Sequence, residues 1–276
     1  MSLVENNESL FDQKGRRIPF SGMRVFNEES LSYYKISKSS YNFQEILTNS
    51  KKFSSVDPGI KLESFESTCI DLKDNIENEP LLKNLFTGVH VPFICPKREP
   101  EIDLGIELEK TTLPSVAASF KGAFPKLHCK ATLQGSSKLE GELSIDNKSR
   151  YGSFLDAQQK GAVVGWYFPQ ALQEYDIDSQ RAQMETLPPH ENLVPSGAVD
   201  TAAALIGSPD LLVNIDDYPP VLCLSALKHT DERLMLCFKA YGQHLEFWCM
   251  SQMLTPGQKQ VSEQWSGGLT LFASIE

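Results

Sequence analysis

An α+β fold is what this 276-residue sequence predicts, from three observations. Residues 218–252 alternate apolar and polar side chains with period two in adjacent runs, as an antiparallel meander does. Between 153 and 206 lie short stretches of helical spacing bounded by Ser, Gly and Pro. From Arg16 to Leu72, short β-like runs are separated by connectors rich in Ser, Asn and Lys. The expected architecture is a C-terminal antiparallel β-meander with short helices against one sheet face, preceded by an irregular, β-rich N-terminal half.

Residues 1–15 are polar and aperiodic and are expected as a mobile arm. In the region 16–112, "RRIPF", "MRVF" and "IKLESFESTCIDL" read as extended. Phe43, Ile46 and Leu47 fall at helical spacing behind Asn42, a capping residue, so "YNFQEILTNSKKF" predicts one helix. "NEPLLKNLFTG", with Pro80 early and Gly88 at its end, predicts a short helix. "VHVPFICP" is extended, and Pro92, which cannot donate to a ladder, places it at a sheet edge or in a linker. The acidic stretch 97–114 has two readings. It is a soft boundary between 16–112 and an α+β domain at 113–276, or it is a strand with Ile102, Leu104, Ile106 and Leu108 turned inward. A single domain is the alternative to the division.

In 113–276, Leu127, Cys129, Ala131 and Leu133 alternate up to Gly135-Ser136-Ser137, and Leu139, Leu143 and Ile145 resume, which reads as a β-hairpin. "SFLDAQQKG" predicts a helix capped by Ser153, and "AVVGWYF" a buried run. "PQALQEYDIDSQRAQMETLPP" supplies one broken or two short helices, stopped by Pro188 and Pro189. "SGAVDTAAALIGSPD" is a helix capped by Ser196 and stopped at Gly207, "LLVNI" a short strand, and "GLTLFASI" the last strand of the antiparallel sheet.

The segment "YPPVLCLSALKHTDERLMLCFKAYGQHLEFWCM" holds three of the six cysteines and two of the five histidines. Its spacings match no zinc knuckle, so strand pairing decides what those residues share. A two-residue turn at Gly242-Gln243 pairs Lys239 with Glu246, Phe238 with Phe247 and Leu236 with Cys249, all favourable cross-strand pairs. Cys249 then lies on the opposite face from Cys237. The preceding hairpin has two registers. A turn centred on Thr230-Asp231 sets Lys228 against Arg233. The preferred loop, 229–231, pairs Lys228 with Glu232 and sets Cys223 opposite Cys237 near Trp248 and Met250.

Other chemistries lack their partners. Asp216-Asp217 ends an apolar run, but no phosphate-cradling G-x-x-x-x-G-K-[ST] accompanies it, so the pair reads as a turn before Tyr218-Pro219-Pro220. Asp176 and Asp178 lack the context of a metal loop and read as helix caps. His190-Glu191 starts like a zincin helix, yet position 194 is Val. The candidate catalytic residues are therefore Cys223, Cys237, Cys95 and His128, with Cys95 pairing His90, Cys129 pairing an unspecified His and Cys223 pairing His229 as the conceivable thiol–imidazole couples. No cofactor and no metal site is expected.

A formal charge of −10 disfavours an extended phosphate-tracking surface, and no apolar run approaches the ~18 residues of a membrane span. Sparse cysteines and the lack of a basic, apolar leader point to a cytoplasmic chain with reduced thiols. The leading functional expectation is a non-enzymatic interaction or adaptor subunit with a protein partner. Acidic accessory proteins of secretion machinery are an analogy that rests on charge alone. The alternative is a hydrolase or transferase with a spatially assembled Cys/His or carboxylate site.

Overall fold

The computed structural model describes residues 9–37, 40–54, 56–100, 102–132, 138–190, 192–214, 216–255 and 258–275. The chain is α+β, with a mixed eight-stranded main sheet. Of the expected arm, residues 1–8 lie outside this range. Residues 9–15 are anchored: Phe11 is buried, and the Leu10 amide donates to the Leu81 carbonyl.

The N-terminal half is rich in helix rather than strand, which corrects the expectation of a β-rich half. "RRIPF" and "MRVF" make only isolated bridges, Phe11 to Arg17 and Val25 to Tyr175, within a strap that lies along the core. Helix α1 (Phe43–Phe53) forms as expected, with the Asn42 side chain accepting from the Glu45 amide. "IKLESFESTCIDL" is not extended but lies largely in helix α2 (Leu62–Glu77). Its apolar residues Phe65, Cys69, Leu72 and Ile76 recur at helical spacing and make one buried face, and that period outweighs local β propensity. A single 3₁₀ turn at Leu85–Thr87 replaces the short helix expected near Gly88. Strand β1 (Val91–Cys95) sits at an edge of the main sheet, where Pro92 withholds no bond the ladder needs.

The acidic stretch is neither an extended strand nor irregular. Helix α3 (Leu104–Glu107), a π-helical turn at 108–112 and helix α4 (Leu113–Ala123) run on continuously across 112/113, burying Leu108, Leu113, Val116 and Phe120. Residues from both sides of that position share one core, Phe93 and Cys95 packing with Val116 and Phe120.

The expected hairpin at 127–145 does not form. Strand β2 (Cys129–Thr132) runs parallel to a later strand at His244–Ser251, and β3 (Leu143–Ile145) pairs with one at Leu227–His229; the expected turn at 135–137 lies outside the described residues. Period-two alternation marked both strands but carried no information about their partners. Helix α5 (Tyr151–Lys160) starts two residues before Ser153. Strand β4 (Ala162–Gln173) extends through "PQALQ", expected as helix, and Pro169 lies where its register with the last strand, Trp265–Ile275, shifts. Asp176 caps helix α6 (Ile177–Arg181) by accepting from the Ser179 amide. Strand β5 (Leu193–Pro195) leads into helix α7 (Ala198–Gly207). Residues 211–214 of "LLVNI" form no strand: Leu211 and Leu212 lie in a turn and are buried, and the Leu211 amide bonds back to Ser208.

Strands β6 (Val221–Cys223), β7 (Leu227–His229), β8 (Leu234–Tyr241), β9 (His244–Ser251), β10 (Met253–Thr255), β11 (Gln258–Lys259) and β12 (Trp265–Ile275) follow. The main sheet has the order β1-β4-β12-β6-β8-β9-β2, with β5 also on β12; β10 pairs with β11. It is mixed rather than antiparallel, because β12 is parallel to β6 and β2 to β9. The β8/β9 register holds as expected, Lys239 facing Glu246 and Leu236 facing Cys249. The run 221–228 divides instead of staying in the meander: β6 pairs with β8, while β7 turns away to β3 and Lys228 meets Asp146 at 2.6 Å rather than Glu232.

Helices cover both faces, not one. On one face Val163, Tyr167 and Phe272 pack against α4, α5 and α7. On the other, Val164, Trp166 and Leu271 pack against α1 and α2. The two long strands β4 and β12 approach so closely at Gly165 that a Cβ there would sit 2.0 Å from the Leu271 carbonyl oxygen. Gly165→Ala is therefore expected to destabilise the fold by about 1–3 kcal/mol, read as a lower urea midpoint with the m-value unchanged.

Candidate functional site

The four residues expected to carry chemistry occupy three separate places. Cys223 and Cys237 do face each other across β6 and β8, the preferred register of the two. Both are buried with Ile177, Met235 and Trp265, and Trp248 and Met250 pack on that cluster. The Cys237 Sγ lies 3.4 Å from Met250 Sδ, and the Cys223 thiol points at the Val221 carbonyl. His229 is engaged elsewhere, its Nδ1 accepting from the Asp231 amide. Burial pushes the Cys223 thiol up to about 12 and holds Cys237 well above the ordinary thiol range.

Cys95, at the end of β1, directs its thiol to the Val199 carbonyl; burial, then Asp200 and Glu107, push it well up. His90 packs instead among the rings of Tyr41, Phe86 and Trp166, with Nδ1 at 2.8 Å from the Gly88 carbonyl. His128 is exposed and stacks on His244 at 3.6 Å. Its neighbour Cys129 is half-buried, with its thiol raised to about 11 by burial. A thiol nucleophile needs a low pKa and access, and these surroundings provide the opposite. Among the described residues no cluster of three metal-ligating side chains occurs. Cys129 is expected to react first with an aromatic disulfide reagent under native conditions at pH 8, the five buried thiols following only on unfolding; mass spectrometry of the labelled peptides reads the order.

A polar centre that sequence reasoning missed lies at the start of α7. Asp200 is fully buried and accepts from the Gly197 amide at 2.9 Å, the Tyr151 hydroxyl at 2.7 Å and the Thr270 hydroxyl. Ser196, expected as the helix cap, bonds Thr270 instead. A carboxylate three residues after Gly197 is a first-turn signal, visible in "SGAVD". The network ties α7 to α5 and β12 and meets no solvent. Burial outweighs these donors and raises the Asp200 carboxyl to about 6. Because that value lies above the unfolded 3.8, the folded state binds the extra proton. The contribution of Asp200 to stability is full below about pH 4 and is lost as pH rises through about 6. Asp200→Asn is expected to flatten this part of the stability profile, measured as the urea midpoint between pH 4 and 7.

The outer surface carries an ordered cluster that faces solvent. Arg16, buried, donates to the carbonyls of Gln173, Asn27 and Glu28 and fixes the strap against the end of β4. Farther along, the Phe26 amide donates to Glu174, Tyr34 bridges Tyr218, and the Ile36 amide donates to the Gln170 side chain. These bonds hold Tyr33 and Tyr218 as a stacked pair, 5.8 Å between ring centroids, with Tyr34 edge-on to Tyr33 at 5.0 Å. Tyr33 is 56% and Tyr218 65% exposed, and Phe26 and Leu31 on the same strap are also exposed. Tyr218 is presented by the turn expected at Asp216-Asp217, where the Asp216 amide donates to Asn214 and Lys35 meets Asp217 at 3.1 Å. Exposed carboxylates at Glu28, Glu29 and Asp216 lie in the same two segments, and Glu263 approaches Tyr34. The signals in the sequence were "SYYK" and "DDYPP", paired aromatics and prolines in aperiodic stretches.

No protein-family model, curated protein or solved structure matches the chain. Among the described residues, no helix is long and apolar enough to cross a membrane.

Proposed function

We propose that this chain is a non-enzymatic interaction subunit that receives a basic segment of a protein partner on the surface formed by Tyr33, Tyr34 and Tyr218. The observation that carries the reading is the stacked, solvent-facing Tyr33–Tyr218 pair. Large aromatic rings held outward lose little conformational freedom on contact, and tyrosine is among the residues that dominate interface energetics. Carboxylates at Glu28, Glu29 and Asp216 favour a partner of opposite charge, and guanidinium groups stack on tyrosine faces. The chain's charge of −10 would add long-range attraction that weakens with salt.

The buried, high-pKa thiols support this reading over a thiol-dependent hydrolase. They also suit a reducing cytosol, in which the facing Cys223 and Cys237 stay unlinked. A fluorescein-labelled, arginine-rich peptide, titrated by anisotropy, tests the proposal. Wild-type protein is expected to bind with an affinity that falls as salt rises. Tyr33→Ala combined with Tyr218→Ala is expected to weaken binding about tenfold or more, with little change in Tm because both rings are exposed. Absence of binding to wild type, or equal binding by the double variant, would overturn the reading.

A further inference from the structure

A second feature, separate from the tyrosine surface, is a cavity of about 240 Å³ that opens to the surface and is lined by five segments of the chain. One wall is a face of α7, where Val199, Ala202, Ala203 and Ile206 recur at helical spacing, and Ile94 continues the apolar lining. The two alanines make the recess, since any larger side chain there would occupy it. The opposite wall is polar. The π-helical turn, whose i to i+5 bond runs from the Leu113 amide to the Leu108 carbonyl, carries Thr111 and Thr112 to the lining, and Ser115 follows. Such turns recur at functional sites because they widen the helix locally.

The polar wall includes an ion pair already out of water. Arg98, buried, donates through Nε to Glu107 Oε2 at 2.7 Å and through Nη2 to the Ile102 carbonyl at 2.6 Å. Among the described residues those bonds leave Nη1 as a donor and Glu107 Oε1 as an acceptor. Gln158, also buried, spends its Nε2 on the Pro96 carbonyl, and among the described residues its Oε1 has no partner. Arg98 and Glu107 cancel in charge, as do the exposed Lys97 and Glu99 that also line the cavity, so the lining carries no net charge to favour an ionic ligand. A neutral group that offers an acceptor beside a donor fits both.

We propose that this cavity binds a small uncharged molecule with an apolar body and a carboxamide-like edge. Its carbonyl would accept from Arg98, its N–H would donate to Glu107, and its body would lie on Ala202 and Ala203 of α7. The volume, just below the ~300 Å³ at which drug-sized ligand pockets begin, suits a single ring.

The probe is benzamide, with benzoate and benzylamine as charged counterparts of the same shape. Saturation-transfer NMR on the full chain is expected to show benzamide bound, and both charged analogues about tenfold weaker or absent. Amide shifts in ¹⁵N-labelled protein are expected to cluster at 94–98, 111–115 and 199–206. Ala203→Leu, which fills the recess, is expected to abolish binding while the peptide titration at the tyrosine surface is unchanged. If that variant does not fold, the shift map of the wild type decides alone. Equal binding of all three probes, no binding of benzamide at millimolar concentration, or shifts elsewhere would overturn the proposal.

Discussion

The pairing of β4 with β12 is the interaction on which the remaining architecture rests. The two strands match over nine positions, and between them they present buried side chains to both faces of the sheet. A strand buried on both faces forces two layers of cover, because neither face can be left to water. Helices α4, α5 and α7 answer one face and α1 and α2 the other. The close approach at Gly165 belongs to the same constraint: the strands pack backbone to backbone where a side chain would separate them.

The sheet end of that pairing also locates the surface features. Gln173 and Glu174, where β4 stops, take the bonds of Arg16, Phe26 and Ser30, so the strap has a template although it forms no ladder of its own. The tyrosines are thus positioned by hydrogen bonds to a rigid edge. A surface loop held in this way can be ordered without being buried, which is what recognition by exposed rings requires.

Much of the C-terminal sheet was legible because cross-strand chemistry is local. Lys239 with Glu246 and Phe238 with Phe247 fix one register through charge and ring contacts, and that register placed Cys249 away from Cys237. Asn42 and Asp176 were legible as caps for the same reason, each acting within three residues. What failed depended on distant partners. Nothing in 127–145 says that β2 will lie beside β9, and β7 leaves the meander because Asp146 and β3 offer Lys228 and its backbone better partners. Helix α2 was misread for a different reason: its residues have mixed propensity, and only the spacing of Phe65, Cys69, Leu72 and Ile76 gives it away. Of the site, the facing of Cys223 and Cys237 was readable, but their sealing under Trp265 and Ile177 was not, since those residues come from separate parts of the chain.

Strand order has a consequence for how the chain is made. β12 follows every other strand in sequence yet lies between β4 and β6, near the middle of the sheet. During vectorial synthesis β4 and the β6–β8–β9 group emerge as two half-sheets with open edges facing each other across an empty lane. They cannot be joined before residues 265–275 leave the ribosome, so until then each half carries an unprotected edge of the kind chaperones cover. The strap waits for the same event, because its two anchors at Glu174 and Tyr218 belong to opposite halves. The tyrosine surface therefore assembles only after residues 265–275 have joined the two halves, and a partner that reads it would report that this pairing is made.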